Sequence, residues 1–248
     1  MSHTLILLRH GQSVWNKENR FTGWVDVPLS EQGKNEAHQA AELLVESKIV
    51  PDVMYTSILR RGINTAEAVN AAYRNTIPVF QSWRLNERHY GGLQGLNKSE
   101  IAEKFGEEQV HIWRRSFDVR PPELSEEAFR IECADPVYAS VPVADHPKCE
   151  ALKDTILRTL PYWEHTIRPE IEKGKTVCIA GHHNSLRAIV KVIETISDDG
   201  INDVILPTGA PLKYEFDDAM IIKEKKFLGD PETIEAAIRA VNNQGKHA

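Results

Sequence analysis

Cysteine is scarce in this chain. Its 248 residues hold three, Cys133, Cys149 and Cys178, with no spacing that suits a metal. So odd and sparse a set builds no disulfide framework and fits a reducing compartment, so the expected location is the cytoplasm. Long apolar runs are absent too. No stretch approaches the roughly 20 residues of a membrane span. Arg9 and His10 cut off the apolar start at residues 5–8, so no signal peptide is expected. Nor is there a basic excess. Thirty Lys and Arg stand against 36 Asp and Glu, a net charge of -6, which argues against nucleic acid or an anionic membrane as the main partner. A small anionic ligand stays allowed, because arginines can gather locally in an acidic protein. No Walker sequence is present, so a nucleotide has no support, and Gly23-Trp24 and Gly91-Gly92 form no dinucleotide fingerprint. The serines lack a Gly-x-Ser-x-Gly elbow. No solenoid repeat is visible.

What is present is an alternation of short apolar runs with helical periods. Residues 4–8 read as a buried parallel strand. Ser30 is a candidate N-cap for a helix to about Ser47, with Ala37, Ala40, Ala41, Leu44 and Val45 on one face. Gly33 stands where Glu or Gln would complete a capping box. Residues 53–55 form a second strand, 59–73 a helix, and 77–80 a weaker third strand. Regularity then lapses over 83–149, although 99–117 reads as one helix. A helix follows through Leu152, Ile156, Leu160 and Trp163, bent or restarted at Pro161. Residues 176–180 are a strong buried strand, followed by a helix through Leu186, Ile189, Val190 and Ile193. Segments 212–216 and 220–224 suit a hairpin, and an Ala-rich helix closes the chain. One large or two small domains would fit this length. The order predicts an α/β protein: an open sheet with helices on both faces. Ligands then bind beyond the strand carboxyl ends. His10, the segment 57–60 and the segment 181–184 all follow such ends.

The candidate chemistry is phosphoryl transfer. His10, in Leu8-Arg9-His10-Gly11, is the best nucleophile, since neutral imidazole can attack phosphorus and hold the group on nitrogen. Arg9 beside it can neutralise phosphate oxygens. His182 can hold the transferred charge if protonated, with its pKa raised beside phosphate. His182-His183 also suggests a metal, but adjacent residues present poorly to one ion and nothing completes the set. His183 alone reads as a residue behind the site or in solvent. Arg60 and Arg61 begin a helix where phosphate would suit them; for Arg61 a solvated helix end fits equally well. Arg84, Arg88 and Lys98 surround the dense polar segment 83–91. Glu87 lies in it, and burial there would raise its pKa and suit proton exchange. Glu36, Glu42 and Glu46 look merely solvated.

These residues closely resemble the cofactor-dependent phosphoglycerate mutases of the histidine phosphatase superfamily, over nearly the whole chain. Residues 8–16, Phe21-Thr22-Gly23-Trp24, 26–30, 83–91, 93–98, 113–118, 160–163 and Pro207-Thr208-Gly209 carry the likeness. Arg-His-Gly alone marks only the superfamily; the middle segments point to the mutase branch. The resemblance implies a three-layer sandwich, phosphoglycerate mutase-like, with a mostly parallel central sheet flanked by helices. It implies one domain over 1–248, with a cap around 83–149 and a closing tail around 232–248. His10 would be phosphorylated transiently and Glu87 would donate and accept protons. Arg9, Arg60 and His182 would surround the transferred group. Ser13, Asn16, Thr22, Gly23, Tyr90, Lys98, Arg114, Arg115 and Asn184 would position the rest, with Arg88 and His183 as further binding candidates.

The implied activity is interconversion of 3-phosphoglycerate and 2-phosphoglycerate in glycolysis and gluconeogenesis, primed by 2,3-bisphosphoglycerate, with no metal. A homodimer is implied, with a homotetramer as the other option. Two positions depart from the family's usual pattern: His183 replaces a glycine and Ala151 a serine. His183 either alters substrate placement or faces outward at little cost. The segment 122–149 departs as well. Two other readings compete: a bisphosphoglycerate synthase or phosphatase on the same site, and an inactive phosphate-binding protein.

Overall fold

The computed structural model describes residues 3–243. Its strands are β1 (His3–Arg9), β2 (Val53–Thr56), β3 (Val79–Gln81), β4 (Thr176–Gly181), β5 (Pro211–Phe216) and β6 (Ile222–Phe227). They form one sheet in the order β3-β2-β4-β1-β5-β6. β1 to β4 pair in parallel, while β5 and β6 attach antiparallel beside β1. In chain order the helices are α1 (Val14–Lys17), α2 (Glu31–Glu46), α3 (Arg60–Ala72), α4 (Lys98–Phe105), α5 (Glu107–Arg115), α6 (Glu126–Ala134), α7 (Leu152–Tyr162), α8 (Arg168–Glu172), α9 (His183–Ile193) and α10 (Pro231–Asn243).

Strand side chains alternate between faces, and both faces are apolar here. Leu5, Leu7, Val53, Tyr55, Val177 and Ile179 pack against Trp163, Ile171, Leu186 and Ile189 from the α7–α9 side. Ile6, Leu8, Met54, Cys178 and Ala180 meet Ala40, Ala41 and Leu44 of α2 and Ala66 and Val69 of α3. Three layers result, as expected. Near-continuous apolar runs are what a sheet covered on both sides requires.

The missing capping box at α2 has a steric cause. Ser30 Oγ accepts from the Gly33 N–H at 3.1 Å. A Cβ on Gly33 would lie 1.9 Å from the Gln12 carbonyl oxygen, and one on Gly11 2.0 Å from the Gly33 carbonyl oxygen. The turn after β1 thus rests directly on the first turn of α2, with no room for a side chain on either. Glu36, read as solvated, steadies the same turn by accepting from the Gln12 N–H at 2.7 Å.

Three elements differ from expectation. The single helix over 99–117 is two, α4 and α5, because Gly106 has φ of +87°, outside the helical region. β3 begins at Val79 rather than at residue 77; Pro78 has no N–H for the ladder. β6 begins at Ile222, because Met220 has φ of +60° and belongs to the turn. Pro161 is tolerated inside α7, and a wide π-helical turn at Trp163–Ile167 follows it.

No strand forms between residues 83 and 149. Within this stretch α6 is tied down by one carboxylate. Glu132 Oε1 accepts from His89 Nε2 and from His146 Nε2, both at 2.8 Å. Burial works to raise its pKa, but those two hydrogen bonds outweigh it and hold the carboxyl at about 2. No helix among the described residues is long and apolar enough to cross a membrane. Residues 244–248, the end of the expected closing tail, lie outside the described residues.

Candidate active site

The carboxyl ends of β1, β2 and β4 open on one cleft. β1 delivers Arg9 and His10, the loop after β4 leads to His183 and Asn184 on α9, and α3 after β2 delivers Arg61. The irregular region supplies Glu87, Tyr90, Lys98, Arg114 and Arg115, and the turn after α1 supplies Thr22 and Gly23. Six cationic side chains face the cleft (Arg9, Arg20, Arg61, Lys98, Arg114 and Arg115) and one carboxylate, Glu87. A protein of net charge -6 therefore holds a strongly positive hollow.

His10 is 3% exposed, and its Nδ1 lies 2.7 Å from the Gly11 carbonyl oxygen. A carbonyl only accepts, so Nδ1 carries the proton and Nε2 keeps its lone pair. Burial, then Arg61 and Arg9, push its pKa well below the ordinary value. The ring is thus a neutral nucleophile near pH 7. His182 packs edge-on against it, ring centroids 4.8 Å apart, and its Nε2 lies 2.7 Å from Ser57 Oγ. Glu87 Oε1 accepts from the N–H groups of Arg88 at 2.8 Å and Asn184 at 3.0 Å. Those bonds fix one carboxylate oxygen and leave the other for the cleft.

Several buried polar atoms around the cleft lack a protein partner: the donors Arg9 Nε and Arg115 Nη1, with Thr22 Oγ1 and His183 Nε2. Buried polar atoms are normally paired, so this set suits a ligand rich in acceptor oxygens. Among the described residues no group of three or more His, Cys, Asp or Glu is placed to hold a metal ion.

The profile of the histidine phosphatase superfamily (branch 1) matches residues 5–223. This chain belongs to that superfamily. A 2,3-bisphosphoglycerate-dependent phosphoglycerate mutase of Leifsonia xyli subsp. xyli is 54% identical over 99% of this chain and 98% of its own. Another, of a Hydrogenobaculum species, is 52% identical over 98% of this chain and 99% of its own. Among solved structures, mycobacterial hydrolase 1 matches with a TM-score of 0.70 at 21% identity, covering 92% of this chain and 97% of that one. Bacillus stearothermophilus YhfR matches with a TM-score of 0.65 at 24% identity, covering 86% and 91%. These structural likenesses show the histidine phosphatase fold.

Around this cleft the residues expected from sequence divide clearly. Arg9, His10, Asn16, Thr22, Gly23, Glu87, Tyr90, Lys98, Arg114, Arg115, His183 and Asn184 line the cleft. Arg60 does not. Its side chain is 54% exposed and pairs with Asp26, Nε to Oδ2 at 2.8 Å. Successive helix residues point about 100° apart, so Arg61 takes the inward direction and Arg60 the outward one. Arg61 is 1% exposed, donating to the carbonyls of Gly23 at 2.7 Å and Val25 at 2.9 Å. Ser13 caps α1, accepting from the Asn16 N–H at 3.0 Å, and does not line the cleft. Arg88 stands behind the wall, over the Tyr90 ring and donating to the Arg114 carbonyl at 2.8 Å. His182 also sits behind, against His10.

The expected rise in the His182 pKa is not produced by the protein. Burial, Arg61 and His10 push it well below its ordinary value, so any rise must come from an anion. His183 is settled in the opposite sense from its solvent reading: it is 8% exposed and part of the cleft wall. Ala151 is the N-cap residue of α7, away from the cleft. A missing hydroxyl there costs helix capping, about 1 kcal/mol, rather than a ligand contact.

Sequence reasoning missed Arg20, Val241 and the Arg158–Glu150 pair. Arg158 makes two bonds to Glu150, at 2.6 and 2.9 Å, and also donates to the carbonyls of Asn86 and Glu87. Glu150 in turn accepts from the His89 N–H at 2.8 Å. That pair holds the Glu87 loop. For Arg61 a signal existed: Arg61 and Thr65 share the buried side of α3, whereas Arg60 and Asn64 share the exposed side.

Proposed function

We propose that this protein interconverts 3-phosphoglycerate and 2-phosphoglycerate, with His10 carrying the phosphoryl group. The observation that carries the reading is His10 itself: a buried neutral imidazole, its Nδ1–H tied to the Gly11 carbonyl, in a cleft of six cations and one carboxylate. The curated mutases half identical over the full chain support it. The orphaned donors of the cleft suit an anion with two charged ends. 2,3-bisphosphoglycerate supplies the phosphoryl group that charges His10 before turnover.

The chain's residues then have these tasks. His10 Nε2 holds the phosphoryl group as a phosphoramidate, and the P–N bond breaks as a substrate hydroxyl oxygen attacks. Glu87 takes the proton from that hydroxyl and returns it to the other oxygen when His10 recovers a phosphoryl group. Arg9 and Arg61 neutralise the phosphoryl oxygens, and His182 donates to them from behind. Lys98, Arg114 and Arg115 hold the remaining anionic end, with Asn16, Thr22, Gly23 and Tyr90 shaping the space. Val241 of α10 reaches the cleft wall and helps keep water from the phosphohistidine, which would otherwise hydrolyse. A single domain capped by 83–149, assembled as a cytoplasmic homodimer, belongs to the same proposal.

The test is to incubate the protein with 2,3-bisphosphoglycerate and map phosphorylation under alkaline conditions by mass spectrometry, alongside a coupled mutase assay. Phosphate on His10, and isomerisation abolished in His10→Ala with the fold intact, is the expected result. Turnover surviving in His10→Ala would overturn the assignment.

A further inference from the structure

His183 opens α9 directly after His182 and lines the cleft. Its residue surface is 8% exposed, and its Nε2 has no hydrogen-bond partner in the protein. An unpaired buried polar atom is costly, and an apolar side chain there would avoid that cost.

The neighbouring charges locate His183 along the cleft. His10 feels Arg61 and Arg9. His183 feels Arg9, Arg115, Arg187 and Arg114. Arg9 acts on both rings, Arg61 on His10, and Arg114 and Arg115, which line the same cleft, on His183. Burial and those guanidinium groups hold its imidazole neutral, well below its ordinary pKa. A neutral donor adds direction without adding charge to a crowded cationic end. It also releases more easily than a guanidinium, which suits a ligand that must reorient between two half-reactions.

We propose that His183 is a positioning residue whose Nε2–H donates to the anionic end of the phosphoglycerate that is not being transferred at His10. This rests on the mutase reading above. Gln can place an amide N–H near the position of Nε2; Asn and Gly cannot. The experiment compares wild type with His183→Gln, His183→Asn and His183→Gly by steady-state kinetics, and by calorimetric titration with 3-phosphoglycerate and with inorganic phosphate. In the Asn and Gly variants the KM and Kd for 3-phosphoglycerate should rise about tenfold, the effect of one hydrogen bond to a charged group. Their kcat and inorganic phosphate affinity should stay within about threefold, and Gln should restore the KM. A structural role would instead lower kcat and weaken both ligands together. Unchanged 3-phosphoglycerate affinity in the Asn and Gly variants, or no rescue by Gln, would overturn the proposal. Absent turnover in wild type would count against the mutase reading instead, while the titrations still decide on His183.

Discussion

Two adjacent arginines show how much a single helical step decides. Arg60 and Arg61 share a charge, a helix end and a sequence context, yet one is held by Asp26 at the surface and the other reaches two backbone carbonyls beside His10. Their mutants should part accordingly. Arg61→Ala removes a cation from the transferred group, so kcat/KM should fall about 10²- to 10³-fold, as for other preorganised charge stabilisers. Arg60→Ala breaks an exposed ion pair worth under about 1 kcal/mol, and kcat/KM should stay within about threefold. Steady-state kinetics on both, with circular dichroism to confirm folding, checks this. Equal losses in the two variants would remove Arg61 from the transfer site. The strand-end position of the pair was legible in sequence. Which of the two turned inward was set by helix phase, and the phase lay in small and polar residues, Gly62 and Thr65, that an apolar count overlooks.

At the level of elements, close backbone contact outweighs local preference. By helix propensity alone Gly33→Ala should stabilise α2 by about 1 kcal/mol. The added Cβ would meet the Gln12 carbonyl oxygen at 1.9 Å, however, and backbone cannot yield as a side chain would. Overpacking of that kind costs about 1–3 kcal/mol, so the variant should be less stable by urea denaturation. Turnover should fall with it, because the displaced turn includes the Gly11 carbonyl that orients His10. A gain in stability would mean that the turn and α2 can separate freely. The same contrast explains what sequence could supply. β1, β2 and β4, α2, α3 and α9 are read easily because their apolar periods pack into the two cores on either face of the sheet. The break at Gly106 and the clamp of Arg158 on Glu150 depend on backbone angles and on a partner eight residues away across a helix start, which no hydrophobic period records.

For the whole molecule, burying three neutral histidines in a cationic cleft links folding to pH. His10, His182 and His183 all have pKa values pushed well below 6.5, with burial the largest cause in each. As pH falls through about 6.5 the unfolded chain binds these protons and the folded chain does not. Stability is therefore fully present above that value and declines below it, by up to about 1.4 kcal/mol per pH unit for each histidine. Glu132, held at about 2, loses its contribution only at much lower pH, so the window from 6.5 down to 5 is not its own. Against a total stability of roughly 5–15 kcal/mol, the combined slope is large enough to read by thermal unfolding. Tm should drop by several degrees between pH 7.5 and 5.5, and His183→Gln should flatten that dependence by about a third. Adding inorganic phosphate should flatten it further, because an anion in the cleft lets the imidazoles protonate in the folded state. A Tm independent of pH over this range, in wild type and variant alike, would show that these rings titrate alike in the folded and unfolded chain, and that the fold does not hold His10 neutral below its ordinary pKa.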